Sequence, residues 1–252
     1  MVESGNITGT QRSLHALNRL GFGPRPGDLA AVNRVGVDSY LARQLDPQSI
    51  PEPDELTARI AALRTLRMTP VELFIEFREP LREAAKGDQD ARKAAQREAR
   101  QVIVEAVEAR LLRAIFGPRQ LHEVMAAFWF NHFNVFAGKG LCSIWNGAFE
   151  EEAIRPHTMG RFRDLLGAVA KHPAMLFYLD NWLNTGPGTL GARGKFEGLN
   201  ENYARELMEL HALGVKGGYT QHDVTELARI FTGWGLVNRG GARRLPPWRW
   251  GP

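Results

Sequence analysis

Apolar positions recur along this chain at three- and four-residue steps, and no stretch alternates at strand period over six or more residues. Proline, glycine and capping residues cut the pattern into helix-length pieces. The pattern predicts an all-α fold, a multi-helix orthogonal or bundle-like array with little or no β-sheet. Helices are expected at 10–20 and 27–35, divided by the turn at 21–26, and from Asp38 to just before Pro47. Thr69-Pro70-Val71-Glu72 places a cap, a proline at the first helical position and an acid at the third, which starts a helix over 70–78. A long helix is predicted over 89–116, with Val102, Ile103, Ala106, Val107, Leu111 and Ala114 as its core face, stopping at Gly117-Pro118. Pro118 starts the next, whose stripe of Leu121, Val124, Met125, Phe128 and Trp129 continues by one row to His132, so that His132 is expected to face inward. Further helices are expected at 147–154, 159–171, 173–183, 200–213 and 221–232.

With 252 residues, 44% of them hydrophobic, the chain is long enough for one large or two small cores. A single all-α domain over 1–235 is expected, with a sub-boundary at the glycine-rich stretch 185–198 and an irregular tail at 236–252. After Trp234 no helix is left to bury Trp248 and Trp250, so the chain reads as the N-terminal part of something longer, with exposed apolar surface around these tryptophans. The net charge is +4 and the pI near 9.4, but 32 Lys and Arg stand against 28 Asp and Glu, and the excess is dispersed. Nucleic acid is therefore not an expected partner. The charged run 82–100 mixes both signs and is rich in alanine, as a solvated helix is. One cysteine, Cys142, excludes an internal disulfide framework and a cysteine-based zinc knuckle, and reads as a small buried thiol. No window has the apolar length of a membrane span and no export signal is read at the start, so a cytoplasmic location is the expectation from sequence, with the true export status open.

The helix over 200–213 concentrates the ionisable groups. At roughly 100° per residue, Tyr203, Ala204, Leu207, Met208, Leu210 and His211 share one arc. Glu201, Arg205 and Glu209 form an acid-base-acid ladder on the other side, worth a few tenths of a kcal/mol per pair. Glu206 lies at the edge of the apolar arc. Two inward histidines on different helices, His132 and His211, are candidates to converge with Glu206 on a site for general acid-base chemistry or a divalent metal, with Asp180 and Glu209 as outer members. Against ready-made chelation, Glu206 and His211 stand roughly 140° apart on an α-helix, and Glu209 and His211 roughly 160°. A lone histidine on an apolar face is more often a hydrogen-bonded core residue, and that reading stands beside the functional one. Asn200 is expected as an N-cap, Asp180 and Asn184 as partners of backbone donors in the loop they border, and Thr220 with Asp223 as a capping box beside a solvated His222. The glycine-rich segments follow no strand and match no phosphate-binding loop, and no serine sits in a strand-turn-helix elbow.

Asn200 to Gly214, with Gly217-Gly218-Tyr219-Thr220, Asp223-Val224 and Phe231-Thr232-Gly233-Trp234, resembles the signature region of the bacterial family called domain of unknown function 1800. Three further blocks resemble the same family: Leu17 to Pro24, Phe128 to Val135, and His172 to Leu176 running into Leu179-Asp180-Asn181. The resemblance implies a bacterial helical protein whose relatives are usually about twice as long and often exported, and it implies no activity, cofactor or substrate. Three functions follow as expectations: a helical enzyme with a His and carboxylate site, a non-catalytic scaffold binding a protein partner through exposed Phe, Trp and Arg side chains, and, last, a nucleic-acid binder.

Overall fold

Capping boxes and prolines start the helices where the sequence places them. Thr69 accepts from the Glu72 N–H while the Glu72 carboxylate accepts from the Thr69 N–H and hydroxyl, and Thr220 with Asp223 repeats the arrangement. The computed structural model describes residues 9–87, 89–189 and 198–236, and among them every regular element is helical, as expected. The described residues divide into two compact units, 9–63 with 107–129 and 64–106 with 130–236. Most of the glycine-rich stretch 185–198, together with Trp248 and Trp250, lies outside the described residues.

The first unit contains α1 (Gly9–Leu20), α2 (Asp28–Val35), α3 (Val37–Leu45) and α4 (Asp54–Ala62), with the C-terminal part of α7 (Gln89–Phe116) and most of α8 (Gln120–His132). Leu17, Val32, Ile50, Leu56, Leu63, Leu112 and Leu121 form its core. Two buried amides serve its helix ends. Gln44 donates to the Pro118 carbonyl at 2.9 Å and accepts from the Leu121 N–H at 3.0 Å. Gln120 accepts from the Phe22 N–H and donates to the carbonyls of Ala114 and Gly117. A Cβ at Gly21 would crowd it, meeting Gln120 Oε1 at 3.0 Å.

The second unit contains α5 (Pro70–Leu73), which continues through a π-helical turn, Phe74–Arg78, into α6 (Glu79–Ala84). It also holds α9 (Cys142–Phe149) with a π turn at Glu150–Ile154, α10 (Phe162–Lys171), α11 (Pro173–Tyr178), α12 (Asn202–Glu206) with a π turn at Leu207–Ala212, and α13 (Gln221–Phe231). Its core mixes aliphatic and aromatic side chains. Trp145 is fully buried and donates its indole N–H to the Pro70 carbonyl, and Tyr203 donates its hydroxyl to the Ala170 carbonyl at 2.7 Å. Trp234 is half-buried, stacked on Phe231 with ring centroids 4.8 Å apart and covered by the Lys171 ammonium, so the expected exposed surface is absent at this tryptophan.

Three expectations need correction. The buried face of α7 is Ala99, Val102, Ala106, Ala109 and Leu112, while Val107 and Leu111 are 50% and 56% exposed. The helix carries two apolar rows, and Glu105 decides between them: buried, it accepts from the Thr65 N–H and hydroxyl, both at 2.7 Å, and fixes the inward row. On α8, Phe128 is likewise exposed while Gln120, Glu123 and Ala126 are buried. Finally, α9 begins at Cys142 instead of 147, because Gly147 is a packing glycine whose Cβ would meet the Ala106 side chain at 3.2 Å. The α4 helix was not anticipated, having Pro53 in place of a side-chain cap.

Replacing Gln44 by Ala should lower the stability of the first unit by about 2 kcal/mol, since it strands a buried N–H and a carbonyl together. Urea denaturation of the full chain measures this, and an unchanged midpoint would show that these backbone groups find water.

Candidate functional site

The 200–214 segment folds as expected only for its first half. After α12 the backbone switches to i to i+5 bonding over Leu207–Ala212, the Leu213 and Gly214 N–H groups both donate to the Met208 carbonyl, and Gly214, at φ 85°, ends the element. Residues five apart are neighbours across such a turn, so Glu206 and His211 stand one turn from each other, in place of the roughly 140° separation of an α-helix. Tyr203, Ala204 and His211 are buried, Leu207 and Met208 half-buried, and Leu210, expected on the same arc, is exposed. The ladder forms on the other side but is half-buried. Arg205 reaches Glu201 at 3.0 Å and Glu209 at 3.9 Å. Gln221 and Thr225 also donate to Glu201, and these bonds hold its carboxyl below the usual range.

The structure brings His132 and His211 together. Their ring centroids lie 6.4 Å apart at 52°, and His132 Nε2 stands 3.2 Å from the backbone oxygen of His211. A carbonyl only accepts, so His132 carries its proton on Nε2 and its basic atom is Nδ1. Phe133, fully buried, turns an edge-to-face contact to both rings, at 4.5 Å from His132 and 5.3 Å from His211. His132 is half-buried, whereas His211 is only 6% exposed. Burial, reinforced by His132, pushes the His211 imidazole down to about 4. Its Nδ1 is buried and has no hydrogen-bond partner among the described residues, a condition that costs about 1 to 3 kcal/mol.

The remaining candidates are placed differently. Glu206 is half-buried and makes no hydrogen bond or ion pair with another described residue. Asp180 sits in the left-handed region at φ 62° and receives the Lys139 ammonium on both oxygens at 3.0 Å, so its partner is a lysine and not the backbone of the bordering loop. Glu209 faces Arg205 and Tyr219. Asn184 accepts from the Asn200 N–H as expected, and also donates to Asn181 and to the Ala228 carbonyl, while Asn200 accepts from the Asn202 N–H. Cys142 is wholly buried, its thiol pushed up to about 12 by that burial. Among the described residues, no set of three or more His, Cys, Asp or Glu side chains is grouped to hold a metal ion.

A third histidine escaped the periodicity argument. His172 caps α11, accepting from the Ala174 N–H at 3.1 Å, and its Nε2 faces Glu152 at 3.5 Å, long for a hydrogen bond. Burial pulls its imidazole below the ordinary histidine value. The His-Pro step at a helix start was the available signal.

The family model described as protein of unknown function (DUF1800) matches residues 15–248. No curated protein and no solved structure gives a significant match.

Followed by ring-nitrogen NMR, His211 should stay neutral until the pH approaches about 4. In the unfolded chain the same ring takes up its proton near 6.5. Between those values the unfolded state binds the extra proton, so stability is full above about pH 6.5 and falls, on the order of 3 kcal/mol, as the pH drops toward 4. His211→Gln should flatten that slope in acid denaturation curves. A midpoint for His211 near 6.5 would mean that the ring is solvated and the pocket wet.

Proposed function

Since the chain belongs to the family described as protein of unknown function (DUF1800), a description that names no reaction, we propose from its own residues that it is a helical enzyme. In this reading, proton transfer takes place at the His132 and His211 pair, with Glu206 as the accompanying carboxylate. One observation carries this: a buried imidazole nitrogen of His211 with no partner among the described residues, beside a second histidine. A core residue of purely structural use has its polar atoms satisfied, and here the penalty is left for a bound molecule to remove.

Each residue has a role that its surroundings support. The His211 carbonyl accepts from His132 Nε2 and orients that ring, as an orienting acceptor does in hydrolytic triads. His211, neutral throughout the physiological range, offers a hydrogen bond without a charge. The Glu206 carboxylate stands one turn away on the π-helical segment and serves to accept a proton or to stabilise an imidazolium. Neutral imidazole is also the form that ligates a divalent metal, so the same residues support metal-assisted chemistry as a variant of this reading. The scaffold reading rests on a separate observation, the exposed row of Val107, Leu111 and Ile115 on α7.

Purified full-length chain should be screened for hydrolysis of activated esters and amides, with and without a chelator, and its metal content measured. His132→Gln should lower kcat/KM by about 10²- to 10⁴-fold while circular dichroism stays unchanged. His211→Asn should lower it and alter the acid limb of the pH profile. Activity that vanishes on chelation assigns the pair to a metal. Activity indifferent to both substitutions would sink the site.

A further inference from the structure

A second candidate site lies wholly within the first unit and shares no residue with the histidine pair. A cleft of about 260 Å³ opens beside α2 and α3, floored by Leu17, Val32, Ile50 and Pro118. That is smaller than the roughly 300 to 1,000 Å³ occupied by drug-sized ligands, so an occupant has few heavy atoms. The floor is apolar and favours a hydrocarbon body over a bare ion.

The polar groups around this floor fall into two classes. Those already spent are the amides of Gln44 and Gln120, bonded to backbone, and the Arg25 guanidinium, which holds Asp28 at 3.0 Å and reaches the carbonyls of Ile115 and Gly117. Those still open are the guanidinium groups of Arg34 and Arg43 and the hydroxyl of Tyr40, none of which has a hydrogen bond or ion pair with a described residue. Among the described residues lining the cleft, Asp28 alone is a carboxylate, and it is committed to Arg25. Two exposed arginines without a carboxylate partner and a half-buried tyrosine therefore line a cleft whose floor is apolar. A guanidinium matches a carboxylate bidentately, and a phenol adds one further donor. Burial and the nearby Asp28 push the Tyr40 hydroxyl upward, which keeps it a donor at physiological pH.

We infer that this cleft binds a small organic carboxylate with an apolar body, its carboxylate held by Arg34, Arg43 and Tyr40 and its hydrocarbon on the floor. The ligand class follows from the pairing of open cationic donors with a short apolar trough; neither feature alone selects it. Inorganic phosphate would satisfy the arginines but leave the floor unfilled. An alcohol of the same length would fill the floor and leave the arginines unpaired.

Isothermal titration of the full chain with octanoate tests this, with octanol and inorganic phosphate as comparison probes. Octanoate should bind at one site, and octanol and phosphate each at least about tenfold more weakly. The double variant Arg34→Glu with Arg43→Glu, both exposed positions, should weaken octanoate by at least about tenfold and leave octanol unchanged. Val35→Trp, at an exposed rim position, should fill the trough and reduce both. Undetectable octanoate binding, equal affinity for octanoate and octanol, tight binding of phosphate alone, or wild-type octanoate affinity in the double variant would each overturn the assignment. The histidine site is untouched by these variants, so its standing is decided separately.

Discussion

A fold made of short helices must find partners for the four N–H groups and four carbonyls that each helix leaves unbonded at its ends. In this chain many helices run only six to twelve residues, so helix ends make up much of the backbone, and several lie in the interior. Buried side chains meet the demand. Gln44 and Gln120 serve the carbonyls and N–H groups of the first unit, while Asn181, Asn184, Trp145 and Tyr203 donate to helix-terminal or loop carbonyls of the second. Each such bond contributes about 1 kcal/mol net, but breaking one leaves a buried group whose desolvation costs more. The core is therefore specified by directional contacts as much as by apolar volume. This is also why a buried polar atom without a hydrogen bond is informative here: His211 Nδ1 is one such atom among the described residues, as is His172 Nε2.

How much of this could be read from the sequence depends on how local the cause is. Capping boxes are four-residue signals, and both were legible. The long helix ending at Gly117 was legible too, because glycine and proline stop helices through their own backbone preferences. Its buried face was not. Val104, Val107, Leu111 and Ile115 form an apolar row as regular as the one that is inside, and the choice is made by Glu105 bonding to Thr65 forty residues earlier in the chain. A carboxylate in the interior contradicts hydrophobic periodicity and becomes reasonable only once its partner is known. The start of α9 was not legible either, for the helix begins five residues before the expected 147 and carries Gly147 in its interior, against Ala106.

The site shows the same division. An imidazole on the apolar side of each of two helices pointed to His132 and His211, and the structure sets their rings 6.4 Å apart. The relation between Glu206 and His211 was misjudged because the geometry assumed 3.6 residues per turn throughout. No residue in Leu207 to Ala212 announces a π turn, which is an outcome of packing and not of propensity. Asp180 and Glu209 carry the right chemistry, yet Lys139 in one case and Arg205 with Tyr219 in the other already engage them. Composition alone cannot reveal which carboxylates are committed.

The π turn and the neutral histidine belong to one argument. Opening the helix by one residue per turn weakens local bonding, and it does so where the chain gains the alignment of Glu206 with His211. Burying an imaidazole with an unfilled nitrogen weakens the fold again, and increasingly so as the pH falls. The unfilled nitrogen is hard to account for by packing, because Leu or Met at position 211 would fill the space beside Phe133 without the polar penalty. In the proposed reading this nitrogen serves a bound molecule, for a ligand that bonds to Nδ1 removes the penalty at the same step in which it is recognised. In that reading the free energy withheld from folding at His211 is free energy available for binding.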